Sequence, residues 1–295
     1  MHAAPVNPAD INTIEGKYPG HRELPGTPGM EGAGTVAELG SAVKHLHKGD
    51  HVILPHNLGT WREALTVDAE KVVVVPGEID LTQAATLKIN PLTAWRLLHG
   101  YVELKPGDWV IQNAANSAAG RAVIQIARER GFKTVNLVRR EDVVAELKDD
   151  GADVVLLDDD SVRDGVKKAT NNARIRLGFN AVGGDSALRV MNALAAEATL
   201  VTYGAMSLQP VKIPTGLLIF KDLRFRGIWI NKWYDNATPE ERIETFQPLF
   251  EMARRGLLKT KVEKTYPLQQ VKEAVAHAMQ GKRSGKIILK LNSGD

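Results

Sequence analysis

The run Trp109-Val110-Ile111-Gln112-Asn113 leads into Ala114-Ala115-Asn116-Ser117-Ala118-Ala119-Gly120, and then into a helical pattern over Arg121 to Arg130. A turn of small residues between a strand and a helix lets backbone N–H groups and the helix N-terminus face a pyrophosphate. Of the spacing G-x-G-x-x-G only Gly120 keeps its place, so the turn alone says little more than that strand and helix join tightly. The strand-helix-strand context is what favours a nucleotide. At the end of the next strand, where an NAD site needs a carboxylate for the ribose 2′-hydroxyl, the chain reads Asn136-Leu137-Val138-Arg139-Arg140, with no acid before Glu141. Two guanidinium forks suit a 2′-phosphate and favour NADPH over NADH. The alternative is a solvated arginine pair at the start of a helix, poorly placed against the helix dipole.

Tyr18 lies in the turn-rich stretch Glu15-Gly16-Lys17-Tyr18-Pro19-Gly20. A phenol, with an ordinary pKa near 10, keeps its proton at neutral pH and can donate it to a charge forming on a substrate. From the residues alone, a loop tyrosine that packs by its ring and bonds by its hydroxyl explains the position as well. Trp229 and Trp233 follow an apolar run, where tryptophan is more often core than ligand contact. His45, His47, His51 and His56 are close together but lack a pattern of supporting carboxylates, and read as surface histidines.

Two kinds of domain must position these groups. Residues 1–88 are rich in Gly and Pro, with short β-like runs at Gly34 to Leu39, His51 to Leu54 and Lys71 to Val75. From Trp109 onward, strand-like runs alternate with amphipathic helical stretches. The strands expected are Trp109 to Asn113, Thr134 to Arg139, Val154 to Asp158, Leu177 to Val182, Thr199 to Gly204 and Leu223 to Ile230. That alternation predicts a doubly wound parallel sheet of the Rossmann type over 89–231. A helix Pro239 to Arg255, a strand Thr260 to Tyr266, a helix Leu268 to Met279 and a strand Gly285 to Leu291 are expected to return to the first domain, making it 1–88 plus 232–295.

Composition limits the chemistry further. The 295 residues suffice for two domains with their own cores. Lys and Arg total 38 against 35 Asp and Glu, a net charge of +3 without a basic block, so nucleic acid and anionic membrane are not indicated as partners. The absence of cysteine excludes disulfides, a Cys nucleophile and cysteine-ligated zinc. No apolar run approaches the roughly 20 residues that span a bilayer. The opening Met-His-Ala-Ala-Pro shows neither a signal peptide nor an Arg/Ser-rich presequence.

The segment Gly29-Met30-Glu31-Gly32-Ala33-Gly34-Thr35-Val36 resembles the Gly-His-Glu-Gly-x-Gly-x-Val run of medium-chain alcohol dehydrogenases, with Met30 in place of their zinc-binding histidine. The resemblance therefore points to the zinc-free branch, with no metal. Within it, Ala4-Pro5-Val6-Asn7-Pro8-Ala9-Asp10-Ile11-Asn12, Asn90-Pro91-Leu92-Thr93-Ala94, Val110 to Ser117, Val201-Thr202-Tyr203-Gly204-Ala205-Met206, Leu218-Ile219-Phe220-Lys221-Asp222 and Arg226-Gly227-Ile228-Trp229 are similar to the trans-2-enoyl-thioester reductases of mitochondrial fatty-acid synthesis.

That likeness covers essentially the whole chain. It implies a GroES-like, mostly β catalytic domain beside the Rossmann domain, NADPH as cofactor, an acyl thioester of CoA or acyl carrier protein as substrate, a homodimer pairing near the Leu223 to Ile230 strand, and a mitochondrial setting. It implies cofactor contacts at Asn90, Asn116, Ser117, Ala118, Ala119, Arg139, Arg140, Tyr203, Gly204, Ala205, Met206, Ile228, Trp229, Ile230 and Lys286, and a catalytic role for Tyr18. Two departures stand out. Ala118 replaces a usual glycine, and the family's presequence and first strands before the Ala-Ala-Pro segment are absent, as in a short isoform or an incomplete gene model, with an N-terminally truncated cytosolic form as the alternative to the mitochondrial setting. The rival readings are a quinone or alkenal reductase of the same fold and a non-catalytic NADPH-binding protein.

Overall fold

The computed structural model describes residues 1–19 and 25–292. The chain divides into two compact units, Met1–Leu92 with Asn231–Asp295, and Thr93–Ile230.

The first unit opens with β1 (Ala3–Pro5) and α1 (Pro8–Ile14). Pro8 fits the first helical turn, where no N–H is needed, and the Asp10 carboxylate reaches back to the Asn7 N–H at 2.8 Å. Next come β2 (Ala33–Thr35), β3 (His51–Ile53), β4 (Val73–Val74), α2 (Leu81–Ala84) and the start of α3 (Asn90–His99), whose residues from Thr93 onward belong to the second unit. The runs expected over Gly34 to Leu39 and Lys71 to Val75 are shorter than their apolar content suggests. In the second, the Asp68 side chain accepts from the Glu70 N–H at 3.1 Å and turns Ala69–Lys71 into a 3-10 turn, leaving two residues to pair.

The second unit carries β5 (Trp109–Gln112), α4 (Ala118–Arg130), β6 (Lys133–Val138), α5 (Val144–Asp149), β7 (Val154–Leu157), α6 (Val162–Ala169), β8 (Leu177–Asn180), α7 (Gly184–Ala193), β9 (Thr199–Thr202), α8 (Thr215–Lys221) and β10 (Arg224–Gly227). All six strands are parallel in the order β10-β9-β8-β5-β6-β7. The order reverses between β5 and β8, which makes their carboxyl ends the topological switch point of a doubly wound sheet. The core gathers Ile111, Val135, Leu137, Ile175, Val190 and Leu200, all essentially sealed from solvent. β10 stops at Gly227, which pairs with Thr202 at the end of β9. The strand expected to run on to Ile230 therefore ends where its partner does, and Ile230 starts α9 (Ile230–Asn236).

The remainder, α10 (Pro239–Arg254), β11 (Val262–Pro267), α11 (Val271–Met279) and β12 (Lys286–Lys290), belongs to the first unit. A capping box at Thr238 and Glu241 starts α10. The sheet of this unit is mixed, in the order β11-β12-β1-β2-β3-β4, with β11 parallel to β12 and the other pairs antiparallel. Among the described residues, no helix is long and apolar enough to cross a membrane.

Candidate functional site

In the second unit the site is built largely from backbone. Ala114, at φ 49°, occupies the left-handed region that a non-glycine residue rarely takes and bends the chain out of β5. Ser117, not Arg121, starts the helix: its Oγ accepts from the Gly120 N–H at 3.1 Å. The N–H groups of Ala118 and Ala119 are left without intrahelical partners, as at any helix start. A Cβ on residue 120 would lie 2.5 Å from the Ala115 carbonyl oxygen, so the one retained glycine of the fingerprint is fixed by the closeness of turn and helix. The helix ends at Gly131, left-handed at φ 72°.

Polar side chains hold this turn against the carboxyl ends of β8 and β9. The Asn113 amide donates to Asn180 Oδ1 and Ser186 Oγ, each at 2.9 Å, and its Oδ1 accepts from the Ala181 N–H at 2.8 Å. Asn180 Oδ1 also accepts from Val182 N at 3.1 Å and Gly183 N at 3.0 Å, while its Nδ2 donates to Thr202 Oγ1 at 3.2 Å. Asp158 accepts from the Ser186 hydroxyl and the Arg189 Nε. None of Asn113, Asn180, Ser186 and Asp158 is expected as a site residue from the sequence. The available signal lies in Gln112-Asn113-Ala114 and Phe179-Asn180-Ala181, where an asparagine closes a buried apolar strand and must find partners or destabilise it.

Tyr203 follows β9, with its N–H bonded to Asn180 O at 2.9 Å. Burial pushes its phenol up to about 12, and the hydroxyl is enclosed without a hydrogen bond of good geometry, opposite the Ser117 side chain. Gly204, Ala205 and Met206 continue along the 181–182 backbone, with Met206 N on Ala181 O at 2.9 Å and the Met206 side chain 58% exposed. Arg139 is exposed beyond the end of β6, whereas Arg140 Nε lies 3.4 Å from Asp142 Oδ1. Ile228 is half-buried and Ile230 buried; Trp229, 46% exposed, is not a core residue. A free helix start, an unsatisfied buried hydroxyl beside it and an exposed guanidinium at the second strand end fit a phosphorylated dinucleotide.

The first unit holds a different kind of site, a buried cluster of charges. Asn90, Lys286 and Glu31 meet at Asn7. The Asn7 Nδ2 donates to Glu31 Oε1 at 2.9 Å, and its Oδ1 accepts from Lys286 Nζ and, at 3.4 Å, from Asn90 Nδ2. Glu31 Oε2 accepts from the Ile89 N–H at 2.9 Å, and Lys88 Nζ donates to the Met30 carbonyl at 2.9 Å while lying 5.4 Å from the centre of the Tyr234 ring. Burial raises the Asp10 carboxyl to about 7 and lowers the Lys88 ammonium to about 7; it also raises Glu31 and lowers Lys286. Of these residues, the sequence points to Asn90 and Lys286 as contacts and passes over Asn7, Asp10, Glu31 and Lys88. A lysine inside Thr86-Leu87-Lys88-Ile89 and a glutamate inside a Gly/Ala run are the available signals.

Tyr18 follows α1, with its N–H on Asn12 O at 3.1 Å and its side chain half-buried. Gly20, which closes its turn-rich stretch, lies outside the described residues. The reading of four surface histidines needs correction at His56. Its side chain is 7% exposed, with Nε2 3.3 Å from Asp235 Oδ2 and its ring edge-on to Tyr234. Among the described residues no group of three or more His, Asp or Glu is arranged to hold a metal.

Residues 1–77 match the alcohol dehydrogenase GroES-like domain and residues 150–289 a zinc-binding dehydrogenase domain. The mitochondrial enoyl-acyl-carrier-protein reductase of Rattus norvegicus is 43% identical over 98% of this chain and 79% of its own length. The chain belongs to the mitochondrial enoyl-acyl-carrier-protein reductase family. It is a medium-chain dehydrogenase/reductase of the zinc-free type, with Met30 buried at the histidine position and no cysteine. The complex of the enoyl thioester reductase Etr1p with NADP and crotonyl-CoA has a TM-score of 0.89 at 29% identity, covering 98% of this chain and 89% of that one. A putative NADPH:quinone reductase from Bacillus thuringiensis reaches 0.92 at 28% identity, with 99% and 89% covered. Both liken the fold; what assigns the family is the 43% identity to the rat enoyl reductase.

Proposed function

We propose that this chain uses NADPH to reduce trans-2-enoyl thioesters to saturated acyl thioesters in mitochondrial fatty-acid synthesis. The observation that carries the reading is its 43% identity, over 98% of its length, to an enoyl reductase. The Etr1p complex with NADP and crotonyl-CoA supports both the cofactor and the substrate class. When bound, NADPH supplies the hydride that goes to Cβ of the enoyl group.

The protein's own part is to bind, orient and stabilise the developing charge. The start of α4 and residues 116–119 receive the pyrophosphate, and Arg139 with Arg140 the 2′-phosphate. Tyr203 to Met206, Ile228 to Ile230, Asn90 and Lys286 complete the cofactor contacts. The Tyr18 hydroxyl donates to the thioester oxygen as negative charge builds there, before the proton reaches Cα. Oxidation of NADPH that depends on crotonyl-CoA and yields butyryl-CoA is the expected result; turnover with a quinone and none with crotonyl-CoA would move the chain to the quinone branch.

The active species is a homodimer, with the carrier either CoA or acyl carrier protein. β10 is an edge strand with open hydrogen-bonding groups, and beside it in the sequence Ile219 and Phe220 of α8 are 66% and 84% exposed. Sedimentation at micromolar concentration is expected to give twice the chain mass, reduced to one chain mass in Ile219→Lys/Phe220→Lys. The relatives' names support a mitochondrial setting for the reaction; fractionation of cells carrying the tagged protein checks it.

A further inference from the structure

We propose that Glu31 is a positioning residue that acts through the Asn7 amide to set Lys286 and Asn90 in place. The inference rests on the reading above that Lys286 and Asn90 meet the cofactor.

An ionised carboxylate only accepts and an ammonium only donates, whereas a primary amide does one at each end. Asn7, 2% exposed, lies between the two. Its Nδ2 is committed to Glu31 Oε1 at 2.9 Å, and its Oδ1 is thereby turned to Lys286 Nζ and Asn90 Nδ2. Flipping the amide would set NH2 against two donors and a carbonyl against a carboxylate, so the charge of Glu31 decides which way Asn7 points. Glu31 reaches Asn90 by a second route: its Oε2 accepts from the N–H of Ile89, the residue that leads into α3.

The arrangement is not what stability alone would select. Glu31 is fully buried and Lys286 is 6% exposed, and they are joined through a neutral amide instead of a direct ion pair. Well-packed apolar residues of the same volume usually match or exceed the stability of such a group. What the ionic arrangement adds is polarity: one orientation of one amide, and with it a defined place for an ammonium and a second amide.

A swap of the two groups tests this with almost no change in shape. In Glu31→Gln the new amide can accept from the Ile89 N–H or from Asn7 Nδ2 but not from both, and NADPH affinity, measured by titrating nicotinamide fluorescence, is expected to fall about tenfold, the equivalent of one charged hydrogen bond. In Asn7→Asp two carboxylates face each other, with a similar loss. In Glu31→Gln/Asn7→Asp the sense is restored. The amide now at position 31 accepts from the Ile89 N–H and donates to the carboxylate now at position 7, whose other oxygen accepts from Lys286, so affinity should return to within about threefold of wild type. A role in packing alone would move none of these near-isosteric variants in this pattern. A swap no better than the single variants overturns the proposal, as does wild-type affinity in Glu31→Gln. Should a single variant fail to fold, the swap still decides: folded with near wild-type affinity it supports the relay, and unfolded or weak it ends it. Lys286→Met separates the two levels of inference. If Lys286→Met weakens NADPH and Glu31→Gln does not, only the relay fails; if neither does, the assignment of Lys286 to the cofactor fails with it.

Discussion

The two units solve the problem of holding polar groups in opposite ways. In the second, the groups offered to a ligand are backbone N–H groups at the start of α4 and guanidinium groups beyond the end of β6, close to water and inexpensive to maintain. In the first, the polar groups are side chains sealed in the interior: Asp10 is 1% exposed, Glu31 0%, Lys88 1% and Lys286 6%. Each of these groups loses hydration that its partners only partly replace, which disfavours its charged form. Substitutions of the exposed groups should therefore act on what binds. Removing a buried titratable group such as Asp10 should change stability and its dependence on pH.

The largest expected effect tests that contrast at Asp10. Burial raises its pKa from 3.8 to about 7, against the lowering influence of the Asn7 N–H and Lys286, with Glu31 raising it further. The folded state thus holds a proton on Asp10 that the unfolded chain has released between about pH 4 and pH 7. Its contribution to stability is complete below the unfolded pKa and is lost as the pH rises through the folded one. Asp10→Asn keeps an acceptor for the Asn7 N–H and cannot ionise. Relative to wild type it should gain stability steadily from pH 4 to pH 7, by up to about 4 kcal/mol at roughly 1.4 kcal/mol per unit. Urea unfolding across that range checks it, and parallel curves for the two proteins would break the contrast between the units.

Tyr18→Phe is next. If the hydroxyl stabilises charge on the thioester oxygen, kcat for crotonyl-CoA should fall about 10² to 10³-fold, roughly 3 to 4 kcal/mol, because the donor acts mainly in the transition state. NADPH affinity and melting temperature should stay near wild type. A tyrosine that only packs gives the reverse, a modest loss of stability with normal turnover.

Much of the second unit is legible in the sequence because a parallel strand buried on both faces writes itself as an apolar run, and its helices as amphipathic stretches between. Strand ends read too long at Arg139, Val182, Gly204 and Ile230, since a strand stops where its partner stops and pairing is not visible in one sequence. In the first unit α1 escapes the sequence reading although Asn7-Pro8 and Asp10 carry a helix-start pattern; seven residues show too little periodicity to stand out. The buried cluster is legible only in fragments. Asn7, Glu31, Lys88 and Lys286 are separated by up to 279 positions; the pairing of β1 with β12 and with β2 brings Asn7, Lys286 and Glu31 together, and Lys88 joins them through the Met30 carbonyl. The turn at 114–120 is a mixed case: Gly120 marks in the sequence where strand and helix join, but the helix starts at Ser117 and not at Arg121, and Asn113 ties the end of β5 to Asn180 and Ser186 far along the chain.

Replacing Arg139 and Arg140 together with Ala should weaken NADPH binding by roughly 2 to 4 kcal/mol, given about 1.5 to 3 per charged hydrogen bond and incomplete additivity. NADH should bind almost as before, and the double variant should melt almost as before, since both side chains lie at the surface end of β6. Titration with each cofactor measures the difference. Equal weakening of both would remove the 2′-phosphate from this place.

Gly120→Ala is the smallest effect and the finest test of a backbone-built site. The added methyl would sit 2.5 Å from the Ala115 carbonyl oxygen and 2.7 Å from its carbonyl carbon, and these are main-chain atoms that cannot swing aside as a side chain end does. Turn and helix must separate, at a cost of about 1 to 3 kcal/mol in stability. That movement also shifts the N–H groups of residues 118 and 119, which we propose receive the pyrophosphate common to NADPH and NADH. Both cofactors should therefore weaken by the same factor, unlike the arginine pair, whose loss falls on NADPH alone. Melting curves and the two dissociation constants separate the cases: equal weakening with lost stability places the turn under the pyrophosphate, and unchanged affinity for both cofactors in a destabilised variant reduces Gly120 to a packing requirement between β5 and α4.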